Sequence, residues 1–193
     1  TLAVHLAVAL IKSGYRVATI DLDGRQRSMS RYLENRAAWR DRTSTALAIP
    51  DHFHVAPSAL RDPGNAEGDE ITRFTDGIAA FGSRHHYIVI DTPGANTFLN
   101  RLAHRIADTL VTPVNDSFVD LDVIGDFDAR SNEIRGPSHY AAAVTIARRE
   151  RAALDGRTLD RVVVRNRLGS FSTRNERRAD GFLRRLPGAL DFP

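Results

Sequence analysis

A doubly wound α/β fold, with a mostly parallel sheet and helices on both faces, is predicted by three features of the 193-residue chain. Arg16 to Asp23, Tyr87 to Asp91, Thr109 to Val114 and Arg161 to Val164 are short β-branched runs without polar/apolar alternation. Strands buried on both faces look like that, and such burial marks a parallel sheet covered by helices. Helically spaced segments lie between these runs, so β and α units alternate. Finally, three of the strands run out into polar residues at the end where open α/β sheets bind ligands.

The elements follow in order. Thr1 to Ser13 is apolar almost all round (Leu2, Val4, Leu6, Val8, Leu10, Ile11), which suits a buried helix closed by Gly14. After the strand to Asp23, a helix is predicted over Ser28 to Arg42, with Tyr32 and Trp39 as packing residues. Pro57 to Gly68, rich in Pro, Gly, Asp and Asn, is expected to be a surface loop. Past Tyr87 to Asp91, the segment Ala95 to Ala107 places Phe98, Leu99, Leu102 and Ile106 at helical spacing. Asp120, Asp122, Asp126 and Asp128 are expected on the solvated face of a helix. Residues 1–193 are read as one domain.

Composition narrows the class. The apolar fraction of 42% and charged fraction of 26% are those of a soluble globular protein. No run of 18 apolar residues occurs, so no membrane insertion is expected. The absence of Cys excludes disulfides and thiolate metal sites, and a cytoplasmic location is the simplest expectation. Thr1 rather than Met stands first, so the true N-terminus is expected further upstream. Lys12 is the sole lysine among 27 basic residues, and the net charge is +3. Between Arg161 and Arg185, eight Arg face only Glu176 and Asp180, a local basic surface suited to an anionic partner. His52-x-His54 and His85-His86 lack a third metal ligand and read as surface histidines.

Three strand ends carry the chemistry. Val17-Ala18-Thr19-Ile20 leads into Asp21-Leu22-Asp23-Gly24-Arg25-Gln26-Arg27, Tyr87 to Ile90 into Asp91-Thr92-Pro93-Gly94, and Val162 to Val164 into Arg165-Asn166-Arg167. A carboxylate at the end of an apolar strand can hold Mg2+ through a water, and a following glycine leaves the backbone free to approach a γ-phosphate. Alone, such an Asp could equally cap the next helix. Paired with the Asp21/Asp23 strand end 70 residues earlier, it favours nucleotide chemistry. The helix opening at Thr1 then reads as the one that follows a phosphate loop, with its N-terminal dipole turned towards phosphates.

These segments resemble the MipZ ATPases, a branch of the ParA/MinD family with a deviant Walker A P-loop. The resemblance rests on Asp21-Leu22-Asp23-x-Arg25-Gln26-Arg27, Glu34-Asn35-Arg36-Ala37-Ala38-Trp39, Asp91-Thr92-Pro93-Gly94, Ala107 to Asp120 and Val162 to Leu168. It implies a P-loop NTPase fold, incomplete at both ends, with the phosphate loop and its signature Lys ahead of Thr1. Residues 1–193 by themselves are therefore expected to bind ATP negligibly and to be inactive. In the complete protein, Thr1 would contact the α-phosphate, and Asp23 would position the attacking water. Asp21 would support the phosphate-loop and Mg2+ region, Asp91 would be the Walker B carboxylate, Gly94 would sense the γ-phosphate, and Asn166 would contact the adenine. The cofactors implied are ATP and Mg2+.

The resemblance further implies a homodimer formed on ATP binding, nonspecific DNA binding with nucleoid association, and two protein partners. These are a ParB-like protein and FtsZ, whose polymerisation would be restrained to place the division site. Thr173-Arg174-Asn175-Glu176 has the form of a capping box. The helix it predicts buries Ala179, Phe182, Leu183 and Leu186 and exposes Arg174, Arg177, Arg178 and Arg185 as the DNA-binding residues. Two alternatives stand beside this reading: a ParA-type chromosome or plasmid partitioning ATPase, and a non-catalytic DNA-binding or scaffold protein with a degenerate nucleotide site.

Overall fold

The structure, a computed structural model, describes residues 2–94, 97–115, 125–128 and 133–166. They fall in two compact units, residues 1–103 and 104–193.

The first unit opens with α1 (Leu2–Lys12), followed by Gly14 at φ +87°, a left-handed conformation that glycine adopts without a Cβ penalty. Then come β1 (Val17–Asp21), α2 (Ser28–Thr43), β2 (Asp51–His54), α3 (Pro63–Gly82), β3 (Tyr87–Asp91) and α4 (Phe98–Ile106). The three strands form a parallel sheet in the order β2-β1-β3. All five residues of β1 are buried, and the packing shows why. Val17 joins Val4 and Ala7 of α1, Met29 and Leu33 of α2 and Val89 of β3 in one apolar cluster. On the other face Phe53, in register with Ile20, lies so close to α3 that a Cβ on Gly77 would come within 2.8 Å of its ring. The chain thus crosses from β1 to β2 in one direction and returns past β1 to β3 in the other. Right-handed crossovers then put α2 and α3 on opposite faces, as observed.

The second unit contains the parallel pair β4 (Thr109–Val114) and β7 (Asp160–Arg165) and the antiparallel pair β5 (Gly125–Asp128) and β6 (Glu133–Pro137). Its helix α5 (His139–Asp155) starts at Ser138, whose hydroxyl accepts from the Ala141 amide at 3.0 Å, and ends at Gly156 with φ +73°. Arg151 is the anchor of α5. Its side chain is 6% exposed, donates to the Ile106 carbonyl, and pairs with Asp108 at 2.8 Å and Asp155 at 3.3 Å.

The predicted strands and helices occur close to where the sequence puts them, with four differences. The expected loop over Pro57 to Gly68 contains the start of α3, because Asp62 caps it (Oδ1 accepts from the Asn65 amide at 2.9 Å) and Pro63 suits the first turn. Tyr32 and Trp39 are not packing residues. They are 44% and 51% exposed, since the buried positions of α2 are Met29, Ser30 and Leu33. Asp126 and Asp128 lie on strand β5 rather than a helix, in keeping with their spacing of two; Asp120 and Asp122 lie outside the described residues. The histidines are only partly surface residues: His52 and His54 are half-buried and the His85 side chain is 8% exposed.

Candidate functional site

The order β2-β1-β3 makes the boundary between β1 and β3 the point where the winding reverses, the usual place for a ligand crevice at the carboxyl ends of the strands. Asp21 and Asp91 are in register there. The pairing continues one residue further, because the Leu22 amide donates to the Asp91 carbonyl at 2.9 Å.

Asp21 is fully buried, and its oxygens are engaged. Oδ1 accepts from the Asp23 amide at 2.9 Å, and Oδ2 accepts from the Ser30 amide at 3.0 Å and the Ser30 hydroxyl at 2.8 Å. Ser30 sits in the first turn of α2, where backbone N–H groups lack helical partners and attract an anion. Asp21 thereby docks α2 onto the end of β1.

Asp23 shapes the turn between them. Its Oδ1 accepts from the Arg25 amide at 3.1 Å and the Gln26 amide at 2.9 Å, and its carbonyl accepts from the Arg27 amide at 3.0 Å. Arg27, at φ 51°, leads into α2 and pairs with Glu34 at 2.9 Å. Gly24 is required by contact: a Cβ would lie 2.4 Å from Cγ of Pro57. The Asp23 turn is therefore pinned from below by Asp21 and from the side by the Pro57 ring.

Asp91 differs. Among the described residues its carboxylate has no hydrogen-bond partner. Burial first, then the negative charges of Asp21 and Asp23, push its pKa up to about 6. A half-buried carboxylate in an acidic surrounding suits a cation. Among the described residues no three His, Asp or Glu side chains converge to hold a metal by themselves. A divalent ion at Asp91 would therefore need most of its oxygens from water or phosphate, which is how Mg2+ is commonly held. Past it, the Asn100 amide group donates to the Pro93 carbonyl at 3.0 Å, and the Thr97 hydroxyl accepts from the Asn100 backbone N–H at 3.2 Å. Gly94 is exposed, with open space where a Cβ would stand.

Of the other expected site residues, Asn166 follows β7 in the second unit, where its amide donates to the Val114 carbonyl at 2.8 Å. Thr1, Arg174, Arg177, Arg178 and Arg185 lie outside the described residues. Sequence reasoning missed Ser30, Thr19 and His52, which bond to one another beneath Asp21. The alternation His52-x-His54 does put both rings on one face of β2, towards Thr19 and Asp21, but which face that is depends on the strand order.

Comparison with known proteins agrees with this architecture. A plasmid partition protein from Borrelia burgdorferi has a similar fold in its crystal structure, with a TM-score of 0.54 and 12% identity over 98% of this chain and 81% of that one. No curated protein sequence matches the chain. The family model of the ATPase MipZ matches residues 1–192, and the chain belongs to that ATPase family.

Proposed function

We propose that this protein is an ATP-dependent dimeric switch, with residues 1–193 forming part of one ATPase domain. The observation that carries the reading is the Asp91 carboxylate, half-buried, without a donor among the described residues and in register with the saturated Asp21. Asp91 would hold Mg2+, through a water. When bound, the ion neutralises phosphate charge. Asp23 accepts from the attacking water and orients it, and Asp21 supports the phosphate-loop and Mg2+ region by fixing the turn that carries Asp23. Among the described residues no strong base faces this turn, so catalysis relies on positioning and is slow. Gly94 senses the γ-phosphate, Thr1 contacts the α-phosphate and Asn166 the adenine.

In the cell, ATP drives dimerisation, the dimer binds nucleoid DNA nonspecifically through Arg174, Arg177, Arg178 and Arg185, and hydrolysis resets it in the cytoplasm. A ParB-like protein and FtsZ are its partners, and restraint of FtsZ polymerisation places the division site. Partitioning of DNA is the second reading, favoured by the fold likeness to a plasmid partition protein. FtsZ sedimentation with and without the ATP-loaded protein separates them: less polymer in the pellet supports the division role, and an unchanged pellet with DNA-stimulated turnover supports partitioning. Absence of Mg2+-dependent ATP hydrolysis in a chain carrying the phosphate-loop segment would leave a non-catalytic scaffold.

A further inference from the structure

Four polar side chains form an unbroken line beneath the candidate site. His52 Nδ1 lies 2.9 Å from the Thr19 hydroxyl, and His52 Nε2 lies 2.9 Å from the Ser30 hydroxyl. Ser30 Oγ lies 2.8 Å from Asp21 Oδ2. Thr19, Ser30 and Asp21 are almost wholly buried, so these groups have little water to turn to.

The positions of the protons follow from Asp21. A carboxylate accepts only, so the single Ser30 hydroxyl hydrogen points at Oδ2. The Ser30 oxygen is then left as an acceptor, and His52 must present Nε2–H to it. Burial, the largest influence on the ring, lowers the His52 pKa; the charges of Asp21 and Glu34 act against this, and His54 and Arg27 act with it. In the neutral ring Nδ1 is then an acceptor. The Thr19 hydroxyl at 2.9 Å serves it in preference to the Asp51 carbonyl, which lies further off at 3.2 Å. The Ser30 end of the line, not Thr19, sets the tautomer. Hydrogen bonds that all run in one direction polarise one another. The opposite tautomer would set two lone pairs face to face at Ser30 or pull its hydroxyl away from Asp21.

We propose that His52 is a positioning residue for the Asp23 turn. It acts through Ser30 on Asp21, whose other oxygen holds the Asp23 amide at 2.9 Å. This role rests on the ATPase reading for its effect on turnover but not for its geometry. Loss of the imidazole frees the Ser30 hydroxyl to rotate and loosens the one carboxylate that ties α2, the turn and β1 together. Misplacement of a group that orients water lowers kcat more than it lowers affinity.

Two measurements on a chain carrying the phosphate-loop segment test the role. In the unsubstituted protein, imidazole nitrogen NMR shifts should show His52 at pH 7.5 as the neutral ring protonated on Nε2. An Nδ1-protonated ring would overturn the proposal, and no variant has to fold for that result. In steady-state ATPase assays, His52→Ala should lower kcat about tenfold with KM for ATP changed less than about twofold. His52→Gln, which keeps an N–H near Nε2, should recover most of the loss. Equal kcat for His52→Ala and the unsubstituted protein, or a Gln variant no better than the Ala variant, would overturn it. If the unsubstituted protein shows no turnover, the ATPase reading fails and the catalytic role of His52 fails with it. The tautomer result then still decides the hydrogen-bond line on its own.

Discussion

Asp21 and Asp91 end neighbouring parallel strands in register, yet the first carboxylate accepts three hydrogen bonds and the second accepts none from the described residues. The difference divides their work. Asp21 spends its oxygens on backbone and hydroxyl donors and so becomes part of the framework. Among the described residues Asp91 is left with burial and two like charges, an arrangement that a cation relieves.

The first prediction concerns Asp91→Asn and pH. The Asp91 pKa is raised from an ordinary value of 3.8 to about 6, so between these values the folded chain holds a proton that the unfolded chain has released. Stability from this group is therefore present at low pH and is lost as pH rises through about 6. A two-unit shift corresponds to about 3 kcal/mol at most, and solvent reaching the site reduces it to on the order of 1–2 kcal/mol. Without ligand, the Asn variant should be more stable by that amount at pH 7.5 and equally stable at pH 3.5. Urea unfolding at both values checks this, and in a chain carrying the phosphate loop the same variant should lose Mg2+-dependent nucleotide affinity.

Asp23→Ala should behave differently. In a chain carrying the phosphate loop, turnover should fall to background while ATP binding persists and the dimer lives longer. Calorimetry with ATP beside a phosphate-release assay separates the effects. Loss of binding in step with turnover would make Asp23 a structural residue of the turn.

Gly24→Ala places a methyl group where Pro57 Cγ would be 2.4 Å away, and a proline ring cannot swing aside. The turn or the segment at Pro57 must move. We expect a loss of about 1–3 kcal/mol in unfolding free energy, with turnover falling as Asp23 shifts. Gly94→Ala meets nothing within 4 Å and should leave stability unchanged in the same experiment.

Arg151→Met keeps most of the buried stem but removes the donors to the Ile106 carbonyl and to Asp108 and Asp155. Thermal unfolding should show a loss of about 1–3 kcal/mol, because the half-buried Ile106 carbonyl is left without its partner.

The arginines at the chain's end give the last prediction. If Arg174, Arg177 and Arg178 meet phosphates, their triple Ala variant should bind all DNA sequences more weakly. The log–log salt slope should fall by about one per residue. DNA titrations of the ATP-bound protein across a salt series measure this, and unchanged binding would return these residues to a solvated surface.

The strands were legible because burial on both faces demands continuous apolar β-branched runs, as in Val17 to Ile20 and Tyr87 to Ile90. Asp21, Asp23 and Asp91 were legible as polar residues at strand ends, and the motifs that bear them pointed to the family that the chain belongs to. The start of α3 was available in Asp62-Pro63 but was masked by a composition typical of loops. What the two aspartates do was not legible. Asp21 and Asp91 are 70 positions apart, and their contrast arises only because the sheet brings β3 beside β1 while Ser30 turns its donors onto one of them. His52 likewise reads as a surface residue until β2 pairs with β1 and seats its ring between Thr19 and Ser30. Periodicity is a local property of the chain, so sequence determined the elements and the polar strand ends. Hydrogen-bond saturation and burial depend on which distant segments meet, so only the tertiary structure decided which carboxylate is saturated and which, among the described residues, has no donor.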